Sequence, residues 1–354
     1  MKNLEQIEKW YDINASIFDN LIRKSKLIIE EAIEENGITI NSITGRVKEK
    51  ESYCKKALKE KYGNPIKEIT DMAGIRIISY VNSDVDKICK IIEEEFDIDK
   101  ENSINKGDLL GIDKVGYKSI HYVVKMKEER TRLREYSKFK NIRFEIQIRT
   151  LLQHAWSEIE HDRNYKFSGV LPEEIKREFS LLAGTLELVD IHFENILKKI
   201  DMYSNDIHEK CIENNLDNIP IDSIAIKALF NEEFNEEIKN EIIVPELLAD
   251  NDVIRELNDF GINNMKQLKE LLNNKFIYDK RKSANFTALL RDTMIKNDAD
   301  KYFIKSWNNT WQGIDLEDRE LFIKNGVPID EIANKYGIDF VSNNKDYPVS
   351  NIIL

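Results

Sequence analysis

The sequence predicts an α+β protein, a mixed β-sheet flanked by helices, followed by an all-α C-terminal domain. Three observations predict it. Isoleucine-rich runs with extended-chain alternation occur at "AGIRIISYV", "VGYKSIHYVVKM" and "IRFEIQIRT"; the last puts Phe144, Ile146 and Ile148 on one side and Glu145, Gln147 and Arg149 on the other. Around these runs, apolar residues recur at three- and four-residue spacing, the period of amphipathic helices. Beyond about residue 222 helical spacing continues without a convincing strand.

In chain order, "LEQIEKWYDINASIFDNLIRKSKLIIEEAIEENG" predicts one or two helices ending at Gly37. "GRVKEKESYCKKALKEKYGNP" reads as a further helix, stopped by Gly63 and Pro65. The first strand follows, then a helix over "SDVDKICKIIEEEF" with a serine or aspartate cap. After the second and third strands, "LLQHAWSEIEHDRNYK" returns to helix, and a long helix runs from Pro172 to about Asp201. This places one domain at residues 1–205, a polar linker at 206–222 and a helical domain at 223–354. In the latter, "VIRELNDFGINNMKQLKELL" and "LFIKNGVPIDEIANKYGID" both read as helix, glycine turn, helix. No convincing repeat or low-complexity tract is present.

A chain of 354 residues exceeds one compact core. The net charge of −12 argues against general coating of nucleic acid or attraction to an anionic membrane. Cys54, Cys89 and Cys211 form no CxxC pair, which disfavours a disulfide framework or a cysteine zinc site. No run reaches the roughly eighteen apolar residues of a membrane span. The expectation is a cytoplasmic protein.

Several segments carry chemistry. On a helix beginning at Gly45, Lys48, Ser52 and Lys55 or Lys56 share a face, with Arg46 near its start; such a face can hold a triphosphate, and a solvated charged face is the alternative. Asp71, before the first strand, suits a Mg²⁺ ligand or a turn aspartate equally. In "VGYKSIHYVV", Tyr117, Ser119 and His121 share one parity, and an aromatic ring after Gly116 suits purine stacking. His121 reads equally as a hydrogen-bonded core histidine. His154, Glu158 and His161 have a spacing able to hold a metal, although zinc is disfavoured without a further strong ligand. No GxxxxGK[ST] loop is present.

Taken together, "GRVKEKESYCKK", "DMAGIRII", "GYKSIHYVV" and "EIQIRTLLQHAWSEIEHDRNYK" resemble the synthetase domain of the RelA/SpoT family, in particular the small alarmone synthetases, over about residues 40–200. The resemblance implies a nucleotidyltransferase-like fold that moves a pyrophosphoryl group from ATP to the 3′-hydroxyl of GDP or GTP, giving (p)ppGpp and AMP, without hydrolase activity. It implies that Arg46 and Arg76 sandwich adenine while Lys48, Ser52 and Lys56 hold the phosphates. Asp71 and Glu145 would bind Mg²⁺, with Glu145 also the base. Tyr117 would stack on the acceptor guanine, with Ser119, His121, Gln147 and His154 around the acceptor nucleotide.

Two other readings stand beside this one. Some relatives transfer the same group to the 3′ end of tRNA, and between Lys125 and Arg143 basic residues outnumber acidic ones. A catalytically silent nucleotide sensor is disfavoured by the intact Asp71, Glu145 and basic segment. The C-terminal domain is expected to be a protein-contacting regulator, and small members of the family are often homo-oligomers.

Overall fold

The computed structural model describes residues 4–105, 119–166, 172–278, 283–311 and 313–341, with only the backbone described for 161–166. The chain divides into two compact units, Met1–Leu197 and Lys198–Leu354. Among the described residues no helix is long and apolar enough to cross a membrane.

The first unit opens with α1 (Leu4–Glu35), whose buried side includes Phe18, Leu21, Ile22, Ile29 and Ile33. Gly37 ends it in the left-handed region, at φ 64°. Six strands form a mixed sheet: β1 (Ile40–Val47), β2 (Ala73–Ser79), β3 (Phe96–Ile98), β4 (Ile104–Asn105), β5 (Ile120–Met126) and β6 (Phe144–Thr150). Their order is β1-β2-β6-β5-β3, with β4 also on β5. The β2–β6 pair is parallel and the others are antiparallel.

The alternation read in the sequence sets the two faces of this sheet. Ile75 and Ile77 of β2 and Phe144, Ile146 and Ile148 of β6 are each at most 1% exposed and share one core with residues of α1 and α4 (Asn82–Glu95). Burying each such side chain stabilises the fold by about 1.5–3 kcal/mol. The N-terminus of α4 carries no side-chain cap of its own. Glu194 instead accepts from the Ser83 N–H at 3.1 Å, so a distant carboxylate does what the local serine or aspartate was expected to do.

The expected helix from Gly45 is corrected. Residues 40–47 form β1, paired with β2 from Ile40↔Ser79 to Val47↔Ala73, and helix α2 begins only at Lys50 (Lys50–Ala57). A ladder with a distant strand overrides local helical spacing here. Gly45 permits it: a Cβ at this position would collide with Ile22 of α1. A short helix, α3 (Pro65–Glu68), then leads to β2. After β5 come α5 (Glu128–Thr131) and a 3₁₀ turn at Ser137–Phe139. Helix α6 (Leu151–Lys166) follows β6 directly and packs against β2 and β6.

Helix α7 (Glu173–Ile212) is longer than expected, and the unit boundary falls within it. The stretch 206–222 is therefore no linker. It holds the last turns of α7 and places Ile207, Cys211, Leu216 and Ile219 in the core of the second unit. Apolar residues at helical spacing were masked there by the surrounding polar ones.

The second unit is predominantly helical: α8 (Ser223–Glu233), α9 (Asn235–Lys239), α10 (Asp250–Asp259), α11 (Met265–Leu272), α12 (Phe286–Lys301), α13 (Asp318–Lys324) and α14 (Ile329–Tyr336). Asp222 caps α8, its side chain accepting from the Ala225 N–H at 2.8 Å. Both helix–glycine–helix segments form, with Gly261 and Gly326 at φ 87° and 78°. Two short parallel ladders qualify the all-α expectation: β7 (Ile243–Val244) with β8 (Ala284–Asn285), and β9 (Gly313–Asp315) with β10 (Asp339–Val341). Each ladder brackets one helix–glycine–helix segment, a recurrence of architecture that the sequence does not reveal. Strands of two or three residues are too short to produce an alternation signal.

Candidate active site

The polar face of the sheet forms a grid. One register row runs Arg46, Gly74, Glu145, Val123 across β1, β2, β6 and β5; the next runs Thr44, Arg76, Gln147, His121. Arg46 and Arg76 are diagonal neighbours across an antiparallel pair, a separation of about 7 Å. That gap suits one aromatic ring with a guanidinium plane on either side. Gly74 lies opposite Arg46, and a Cβ built there would meet nothing within 4 Å, so the floor between the arginines is open.

Beside this grid, the turn after β1 brings Lys48 to Asp71. The Lys48 N–H donates to the Met72 carbonyl at 2.8 Å. Lys48 Nζ and Lys56 Nζ, the latter from α2, both donate to Asp71 Oδ2, at 2.9 Å and 2.7 Å. Burial acts to raise the Asp71 pKa, but the hydrogen bonds from Lys56 and Lys48 outweigh it and leave the carboxyl below its ordinary 3.8. Asp71 Oδ1 is buried with no hydrogen-bond partner. Ser52 lies exposed one helical turn before Lys56. These residues are assembled by a strand, a turn and a short helix rather than by the single helical face that the spacing suggested.

Glu145 is the second carboxylate. His121 Nδ1 lies 2.7 Å from its Oε1, and Gln147 Nε2 donates to Oε2 at 3.2 Å. An ionised carboxylate only accepts, so Nδ1 is the protonated ring nitrogen; Nε2 is buried without a partner. Burial raises the Glu145 pKa, the His121 and Gln147 contacts more than offset this, and the nearby Asp71 charge opposes them; the net position is below the ordinary 4.5. Both acids are therefore carboxylates at neutral pH, close enough for one to act on the other's titration.

On the same face, Glu158 of α6 faces Arg76 Nη1 at 3.0 Å, His154 Nδ1 at 3.7 Å and Arg149 Nη2 at 3.8 Å. His154 is held below the ordinary histidine value by burial and by the charges of Arg149 and Arg76. Ser119, just before β5, is 2% exposed and its Oγ has no partner. Arg46 is exposed. Tyr117, expected to stack on the acceptor base, lies outside the described residues, as does the side chain of His161.

The structure thus gathers Lys48, Lys56 and Asp71 in one cluster, Glu145, His121 and Gln147 in a second, and Arg76 with His154 in a third. Sequence reasoning left two participants out of the site. Arg149, 2% exposed, continues the parity of Glu145 and Gln147, a signal present in the sequence but not used. Glu158 was noted only for its spacing to the histidines.

No group of three or more His, Cys, Asp or Glu able to hold a metal occurs among the described residues. Two carboxylates nevertheless fit Mg²⁺, which keeps several waters and takes one or two carboxylates together with substrate phosphates. The orphaned Asp71 Oδ1 is a hard oxygen suited to such an ion.

Residues 45–170 match the family model described as the region found in RelA / SpoT proteins. The chain is 34% identical over 166 residues to the GTP pyrophosphokinase YjbM of Bacillus subtilis (strain 168), covering 46% of this chain and 74% of that protein. It is 28% identical over 167 residues to GTP pyrophosphokinase YwaC of the same organism, covering 46% and 76%. Among solved structures, small alarmone synthetase 1 from Bacillus subtilis aligns with 26% identity and a TM-score of 0.46, over 55% of this chain and 98% of that one. From the matched segment and the identity to YjbM, the chain belongs to the RelA/SpoT family.

Proposed function

We propose that this chain is a pyrophosphokinase that transfers the β,γ-pyrophosphate of ATP to the 3′-hydroxyl of GDP or GTP, producing (p)ppGpp and AMP. One observation carries the reading: Asp71 and Glu145 are both held ionised and lie near enough for the Asp71 charge to act on Glu145, while Lys48 and Lys56 converge on Asp71. The names of YjbM and YwaC support the reaction class. A structure of small alarmone synthetase 1 bound to its product pppGpp belongs to the same group of relatives.

In this reading the acceptor 3′-oxygen attacks the β-phosphorus, a new P–O bond forms, and the bond between the β-phosphorus and the bridging oxygen breaks with AMP as leaving group. Glu145 takes the hydroxyl proton, which requires its carboxylate within about 3 Å of that oxygen. Gln147 and His121 fix the orientation of Glu145. Lys48, Lys56 and Ser52 hold the phosphates, and Arg46 and Arg76 stack on adenine. Asp71 and Glu145 would hold Mg²⁺, which, when bound, would neutralise charge developing on the phosphate oxygens. Ser119, His154 and Tyr117 are assigned to the acceptor nucleotide.

The test is incubation with radiolabelled ATP and, separately, GDP, GTP or bulk tRNA. Labelled guanosine tetra- or pentaphosphate with stoichiometric AMP is the expected result. Label entering tRNA alone, or no transfer to any acceptor, overturns the proposal.

A further inference from the structure

We infer that Glu158 is a positioning residue for adenine recognition: from α6 it holds the Arg76 guanidinium by its edge, the contact that leaves a guanidinium's stacking direction to a purine. This inference rests on the reading of the site as an ATP site.

The geometry points to Glu158 for three reasons. First, its Oε1 faces two guanidinium charges, 3.0 Å from Arg76 and 3.8 Å from Arg149, with the His154 ring at 3.7 Å. Arg76 and Arg149 lie on the same sheet face, two residues apart in register across β2 and β6. Like charges so placed repel, and a carboxylate between them keeps Arg76 over the face. Second, the contact uses the Nη1 edge of Arg76. A guanidinium pairs with carboxylate through its edge and stacks on an aromatic ring through its face, so the two interactions are compatible rather than competing. Third, the Glu158 side chain is 56% exposed, and an ion pair with so exposed a partner contributes little to folding. What it can supply is preorganisation. Arginine is rich in rotamers, and a side chain already immobilised loses less freedom when the base arrives.

The experiment measures binding of α,β-methylene-ATP and of inorganic tripolyphosphate to the full chain by calorimetry, for wild type, Glu158→Gln, Arg76→Ala and the double variant. Glu158→Gln is expected to weaken the ATP analogue about 3- to 10-fold, the range of one cation–π contact. Tripolyphosphate affinity should be unchanged, since it has no base, and Glu158→Gln should have no further effect once Arg76 is alanine. Wild-type affinity in Glu158→Gln overturns the inference, as does an equal loss in the Arg76→Ala background or a parallel loss for tripolyphosphate. If the wild-type chain binds no ATP analogue, the ATP-site reading itself falls and takes the inference with it. If it binds and only Glu158→Gln is silent, the inference alone falls.

Discussion

Replacing Glu145 by glutamine tests the catalytic reading most directly, because it removes a charge while conserving shape. Glu145 has a 19% exposed side chain and holds His121 through a 2.7 Å contact and Gln147 through one of 3.2 Å. The amide retains an acceptor oxygen, so the His121 contact survives as a weaker, neutral one. The folding cost should be about 1 kcal/mol, the difference between a charge-assisted and an ordinary hydrogen bond, or about 2–4 °C in the unfolding midpoint for a unit of this size. The catalytic cost should be far larger. An amide cannot take the 3′-hydroxyl proton, and loss of a positioned base costs about 10²–10⁴-fold, equivalent to about 3–5 kcal/mol of barrier. AMP release from ATP with GDP or GTP, followed chromatographically beside a thermal melt, separates the two effects. A folded Glu145→Gln protein that retains more than about a tenth of wild-type turnover would refute the assignment of Glu145 to proton transfer.

Other outcomes follow from the same geometry. Gly74→Ala should fold, because nothing lies within 4 Å of its Cβ position, yet raise the KM for ATP about 3- to 10-fold by placing a methyl group on the floor between Arg46 and Arg76; an unchanged KM would remove adenine from that gap, the expected loss being of the order of one weakened stacking contact. In the second unit, fully buried Glu256 accepts from Arg291 Nε and Nη2 at 2.9 Å and 2.8 Å, from the Tyr302 hydroxyl at 2.9 Å and from Thr310 Oγ1 at 2.8 Å. Glu256→Ala strands the Arg291 charge and should destabilise by about 3–5 kcal/mol in chemical denaturation; a loss under about 1 kcal/mol would contradict the closed network. His154 has a depressed folded-state pKa, so below its ordinary 6.5 the unfolded chain binds the extra proton and folding weakens. That penalty is absent above pH 6.5 and grows as pH falls through it until the folded value is reached. His154→Asn should therefore lose less stability than wild type between pH 7 and pH 5 in thermal melts, and parallel losses would refute the assignment.

By itself the sequence determined the helices and strands with strong period, the core face of the sheet and the opposite, polar face on which Glu145 lies, because alternation in "FEIQIRT" and "AGIRIIS" depends only on neighbouring residues. It could not determine that residues 40–47 are a strand, since that state exists only through pairing with 73–79 and close contact of Gly45 with α1. Nor could it show that Lys48 and Lys56 converge on one oxygen of Asp71, or that Glu158 reaches Arg76. Those contacts join residues far apart in the chain, and a hydrogen bond or ion pair is set by where the folded backbone places its atoms, which no local periodicity encodes.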